Sequence, residues 1–232
     1  MKKILIPILF LIQLQAYSQF WRTLSYGLSF SYDRCYRNII SDNYDYKAYL
    51  DSLEKFGSGY NAGLHLMKPI NKHLSLETGA FFYNHTYGTD KIHYPDSVYS
   101  LDYNIFFTDA SWHHTYKSIN IPIGLRYYFN GGRVSVFTGT GFIPAILTTH
   151  IEKSNYYNGD ELVLKQSYYK ELSRRFDIGW YINIGTSIFP SYNSRIDLIM
   201  RYKRSLLPVM RNNYTDEFLE SFGFSIGISQ TI

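Results

Sequence analysis

Between Leu24 and Tyr32 every even-numbered residue is large and apolar or aromatic, and every odd-numbered residue is Ser or Gly. A two-residue period over nine positions places the two classes on opposite faces of a strand, and no helix can separate them. Seven further segments read the same way: Gly59–Lys68, His73–His85, Ser118–Phe129, Arg133–Leu147, Phe176–Ile188, Arg195–Lys203 and Ser221–Ile232. Arg133–Leu147 is the weakest, because Thr138 and Thr140 fall in its apolar register.

The connections alternate in length. Residues 69–72, 130–132 and 190–194 are short and carry Pro, Asn or Gly, as tight turns require. Between them lie four long polar stretches, 34–58, 88–116, 149–174 and 204–220. The expectation is an all-β, eight-stranded antiparallel up-and-down transmembrane β-barrel with short periplasmic turns and four long extracellular loops. Both chain ends then emerge at the short-turn side, and the loops have room for a hairpin that stays outside the membrane.

Alternation alone does not say which face is inside, since soluble barrels turn the apolar face inward. The opposite face decides. Gly27, Gly59, Gly63, Gly79, Gly124, Gly139, Gly141, Gly179, Gly185, Gly223 and Gly227 all fall in the non-apolar register. A water-exposed strand face carries Thr, Lys and Glu, and Gly weakens strands. The narrow interior of an eight-stranded barrel supplies the steric reason for small residues. The apolar face therefore meets lipid, and strands of roughly 9–13 residues have the length to cross a bilayer at a tilt. Aromatic residues near the strand ends, among them Phe20, Trp21, Tyr32, Tyr127 and Phe129, fit interfacial girdles.

The amino-terminal region reads as a secretory leader. Lys2 and Lys3 precede an apolar run from Ile4 to Ile12, and Ala16-Tyr17-Ser18 offers small residues for cleavage before Gln19. Residues 1–18 are thus expected to be a cleaved signal peptide and 19–232 the barrel domain. The formal charge is +4, of which the leader lysines supply two, so no basic footprint for nucleic acid exists. The single cysteine, Cys35, excludes an internal disulfide framework.

Residues Ser118–Phe129, SINIPIGLRYYF, resemble the (L/I)xIPLxLRYxF strand of PorT-like outer-membrane β-barrel domains, a porin-family group of OmpX size. Gly139-Thr140-Gly141 follows, and Phe176–Gly179 with Asn183 and Gly185 resembles the xFDxGxxxGxG strand of those domains. The resemblance implies an OmpA/OmpX-sized barrel inserted by the barrel assembly machinery. Some relatives assist secretion systems, and many have no defined role. The carboxyl terminus departs from the usual insertion pattern, with Gln230 at an apolar position and Ile232 in place of Phe.

The inward register is not wholly small. Glu77, His65, Arg126, Asp177, Asp197, Arg201 and Lys203 share it. Glu77 and Arg126 lie on neighbouring strands at similar height and are expected to pair, with Asp197 and His65 joining a lumen charge network. A confined charge must be paired or hydrated, because isolation costs several kcal/mol. That network reads either as a static plug or as a gate. In the second long loop Asp109, Ser111, His113 and His114 supply a carboxylate, a nucleophile and bases, but adjacency is not triad geometry. His113, His114 and His150 have no spacing that specifies a metal.

The favoured reading is a non-enzymatic outer-membrane barrel with a structural or surface-interaction role, without catalytic, cofactor or metal residues. The expected partners are outer-membrane lipids, the assembly machinery and secretion or envelope proteins, around a monomer. A narrow transport pore or secretion-accessory barrel is second. A membrane-embedded hydrolase or acyltransferase is a distant third.

Overall fold

The computed structural model describes residues 23–41, 44–100, 104–171, 174–211 and 216–231. The expected leader, together with Phe20 and Trp21, lies outside the described residues. Among the described residues there are twelve strands: β1 (Ser25–Ile40), β2 (Glu54–Pro69), β3 (Leu74–Thr89), β4 (Ile92–Ser100), β5 (Ile105–Asn120), β6 (Ile123–Tyr128), β7 (Val134–Asn158), β8 (Glu161–Lys170), β9 (Phe176–Ser191), β10 (Ser194–Ser205), β11 (Met210–Arg211) and β12 (Asp216–Thr231). One helix, α1 (Tyr44–Leu53), follows β1.

All pairings are antiparallel. The ladder runs from β1 through β2, β3, the β5/β6 position, β7, β9, β10 and β12, and returns to β1 with Ser25 opposite Thr231. Closure leaves no exposed edge in this ring, the condition for β-structure in a bilayer. Strands β5 and β6 share one of its eight positions. Pro122 has no N–H to give the ladder, and the Ile121 N–H turns to the Pro144 carbonyl at 2.8 Å.

Of the four polar stretches expected as loops, 88–116 and 149–174 are largely strand, and 34–58 carries α1 between two strand ends. The path of β3 continues into β4, and β8 leads down into β9. With the upper halves of β5 and β7 these segments form a four-stranded sheet, β4-β5-β7-β8, beyond the ring. Strand β7 alone has 25 residues, more than twice the roughly 9–11 needed to span a bilayer. Beyond the apolar band the outward face no longer meets lipid and polar residues stand on both faces, buried ones such as Ser111, Glu152 and Ser154 included, so hydropathy stops alternating while the Tyr, Ile, Val and Thr content still favours ladders.

Within the ring the burial is inverted relative to a soluble protein. Leu28, Leu64, Ile123, Ile184, Phe224 and Ile228 are exposed, whereas Asn61, Glu77, Arg126, Asn183, Ser187 and Asp197 are buried. The outward apolar band reaches up to Tyr32, Tyr60, Phe82, Ile119, Ile146, Phe176, Tyr202 and Phe222. The two threonines that weakened β7 point outward but are not unsatisfied. The Thr138 hydroxyl donates to the Asn183 carbonyl and the Thr140 hydroxyl to that of Tyr181, each at 2.9 Å. Among the described residues no helix is long and apolar enough to cross a membrane.

Candidate functional site

The lumen is built on a rule of cross-strand complementarity. Five of the large inward side chains face a glycine on a neighbouring strand: Glu77 opposite Gly124, Arg126 opposite Gly139, His65 opposite Gly79, Asp197 opposite Gly227 and Arg201 opposite Gly223. Directly opposed Cβ atoms stand roughly 4.5–5.5 Å apart, so removing one opens the space the other needs. At Gly139 an added Cβ would lie 2.6 Å from Asn183 Oδ1.

Arg126 is the centre of the plug. Its Nε donates to Glu77 Oε2 at 3.0 Å, Nη2 lies 2.8 Å from the same oxygen, and Nη1 donates to Asp197 Oδ2 at 2.8 Å. The ring of Phe137 stacks 4.0 Å from its guanidinium carbon, a cation–π contact in a site screened from water. Tyr181 donates its hydroxyl to Glu77 Oε1, and Ser187 donates to Asp197 Oδ1 at 2.6 Å. Met67, Tyr128, Phe137 and Ile199 close the bore with an apolar cluster. Arg126 is 2% exposed and Asp197 1%. Charges this deep stay only because each meets an opposite charge and further hydrogen bonds.

Among the other inward residues read from the sequence, His65 does not touch Glu77 or Arg126. It accepts through Nε2 from Arg195 Nη2 at 3.0 Å, and Arg195 Nε lies 3.2 Å from Asp197 Oδ1. Arg195 is therefore a network member that sequence reasoning passed over. It shares the odd-numbered register of Asp197 but stands beside the 190–194 turn, and turn proximity concealed it. Arg201 lies over the Tyr181 ring at 5.0 Å. Lys203 pairs instead with Asp33, at 2.6 Å. Asp177 stays apart from the plug, buried beside Ser205, Lys203 and Glu220.

Above the apolar band a second cluster caps the barrel. Tyr87, His114, Tyr116 and His150 form a stacked set, with Tyr116 and His150 centroids 4.1 Å apart and Tyr87 and His114 4.9 Å apart. His114 Nδ1 and His150 Nε2 are 3.2 Å apart, one imidazole donating to the other. Burial holds both neutral, pushing His114 down to about 3 and His150 to about 4. Burial would raise the Glu152 carboxyl, but hydrogen bonds from Lys170 and Tyr168 win and hold it below its usual range. Arg37 bridges Glu54 and Glu217 beside this cluster, and the Tyr87 hydroxyl donates to Glu217 at 3.1 Å.

The residues weighed for catalysis are not assembled into a triad. His113 and His114 point to opposite faces of β5, the first toward Gly88 and the second toward His150. Asp109 accepts from Thr108 and meets His93 at 3.1 Å, while Ser111 lies against Asn155. Among the described residues no three His, Cys, Asp or Glu side chains form a metal-binding group.

An antiparallel barrel with lipid-facing apolar residues and a closed, charge-paired interior defines a bacterial outer-membrane barrel protein. The chain belongs to the family described as the outer membrane protein beta-barrel domain, whose model matches residues 15–211. Among solved structures it is similar to OprG from Pseudomonas aeruginosa, with a TM-score of 0.50 and 11% identity over 90% of this chain and 95% of that one. It is also similar to the Neisserial surface protein A, with a TM-score of 0.47 and 13% identity over 90% and 97%. Ail of Yersinia pestis, solved with a heparin analogue, gives 0.37 and 14% over 89% and 99%. Of these three, OprG supports the fold, and the fold alone. Comparison of the sequence with curated proteins finds no match. The β4-β5-β7-β8 sheet stands at the end of the ring opposite the short turns.

Proposed function

We propose that this is a non-enzymatic, monomeric barrel with eight transmembrane strand positions that works by contact at the cell surface, through the β4-β5-β7-β8 sheet. The observation that carries this reading is the sheet itself. It projects beyond the membrane band, and it presents Phe106 and Tyr169, 62% and 79% exposed, to the surroundings. Large exposed aromatic side chains suit recognition surfaces. Its outer strands β4 and β8 each pair on one side only among the described residues, and free strand edges are sites where other chains add. The β4 edge is blunted by a register shift between His93 and Val98. Strand β8 has ten residues without proline and is the more open of the two.

The same reading has the leader cleaved after Ser18, the assembly machinery inserting the chain, and outer-membrane lipids covering the apolar band. Shortening the two hairpins, by removing residues 93–109 and 155–166, tests it on whole cells. The expected outcome is a folded barrel with loss of the surface-adhesion phenotype of the wild-type strain. Unchanged adhesion after shortening, or a secretion defect in its place, would overturn the reading in favour of a PorT-like secretion accessory.

A further inference from the structure

The periplasmic end of the lumen opens on a cavity of about 430 Å³, within the size range of small-molecule sites. Ser25, Ser75, Ser135 and Ser194 line it, together with Lys72 and the buried Arg195. No Asp or Glu side chain is among its lining residues.

The charge balance of the plug is unequal. Three guanidinium groups, Arg126, Arg195 and Arg201, stand against two carboxylates, Glu77 and Asp197. Asp197 is shared between Arg126 and Arg195, and Glu77 is bound by Arg126. Arg201 lies over Tyr181 and does not reach the cavity. Arg195 does reach it, although it is only 7% exposed. Its two terminal nitrogens donate to uncharged acceptors, Nη1 to the Met67 thioether at 2.9 Å and Nη2 to the His65 imidazole at 3.0 Å. A buried guanidinium gains most from a planar oxyanion that takes two charge-assisted hydrogen bonds. Here the nearest carboxylate is already divided.

We propose that this cavity is a periplasm-facing oxyanion site, in which Arg195 and Lys72 hold the carboxylate or phosphate group of a small solute and the serine hydroxyls contact its polar remainder. The site is independent of the surface-contact reading, because it lies at the other end of the barrel.

Met67 provides a local reporter, since its sulfur touches Arg195 and its side chain is buried, whereas Met200 is exposed on the lipid face. The experiment titrates succinate, inorganic phosphate and the neutral isostere succinamide into the refolded protein in micelles, with the methionine methyl groups followed by NMR. Succinate or phosphate is expected to shift Met67 saturably and to leave Met200 in place, while succinamide does nothing. Tighter binding of succinate assigns the group as carboxylate, and tighter binding of phosphate assigns it as phosphate. Lys72→Gln, at an exposed position that the fold does not need, is expected to weaken binding about tenfold, and Arg195→Gln to abolish it. A Met67 methyl unmoved by both anions, an equal response to succinamide, or undiminished binding in Lys72→Gln would overturn the proposal.

Discussion

The lower lumen and the sheet beyond the ring share strands β5 and β7, yet they solve opposite problems. Around Arg126 the chain buries charges where water is excluded; Arg126 is held by two carboxylates and faces Gly139, and Glu77 and Asp197 each add a hydroxyl donor and a facing glycine. Around His114 and His150 it buries titratable groups by keeping them neutral and stacking them on tyrosines. Inside the membrane the narrow bore enforces strict alternation and pairing. Above the membrane the sheet is relieved of both demands, and its strands run on with mixed polarity on each face. The difference explains why one end is a rigid plug and the other a surface free to present side chains.

The strongest way to break this comparison is to remove the central cation. Arg126→Met leaves Glu77 and Asp197 buried without their main counter-charge and should cost about 3–5 kcal/mol, read as a lower urea midpoint of the refolded barrel. The steric half of the rule is tested by Gly139→Val, whose side chain collides with Asn183. It should cost about 1–3 kcal/mol, whereas removing a solvent-facing side chain such as Tyr169 should be nearly neutral. Acidification sharpens the contrast at the other end. His114 and His150 ionise in the fold only near pH 3 to 4 but near 6.5 when unfolded. Their contribution is therefore full above about pH 6.5 and is lost as the pH falls toward 4. Amide exchange should quicken first in upper β5 and β7 while the Arg126 layer stays protected. A small effect is expected for Thr138→Val on the lipid face. It loses one hydroxyl bond and gains apolar contact, so its midpoint should move by less than about 1 kcal/mol.

The legible parts of the molecule are those where geometry restricts residue choice. Alternation and the eleven-glycine register distinguished lipid face from lumen, and the inward placement of Glu77, Arg126 and Asp197 followed from their position in that register. Arg195 was missed because a turn signal lay beside it, although its odd number carried the same register as Asp197. Asp177 shares the inward register, but register says nothing of height, and it stands apart from the plug near Ser205. The β4-β5-β7-β8 sheet reads as loops in the sequence because polar residues stand on both of its faces and erase the hydropathy period, so only ladder pairing reveals it. The stacked Tyr87, His114, Tyr116 and His150 come from three strands, and no local spacing joins them.

Planar-bilayer conductance of the refolded protein tests the closed lumen most directly. With Arg126 bridging Glu77 and Asp197, and Met67, Tyr128, Phe137 and Ile199 filling the bore, the wild-type protein should give no stepwise conductance above the lipid baseline. A steady, voltage-independent channel in the wild type would contradict the plug, and with it the assignment of function to the outer surface.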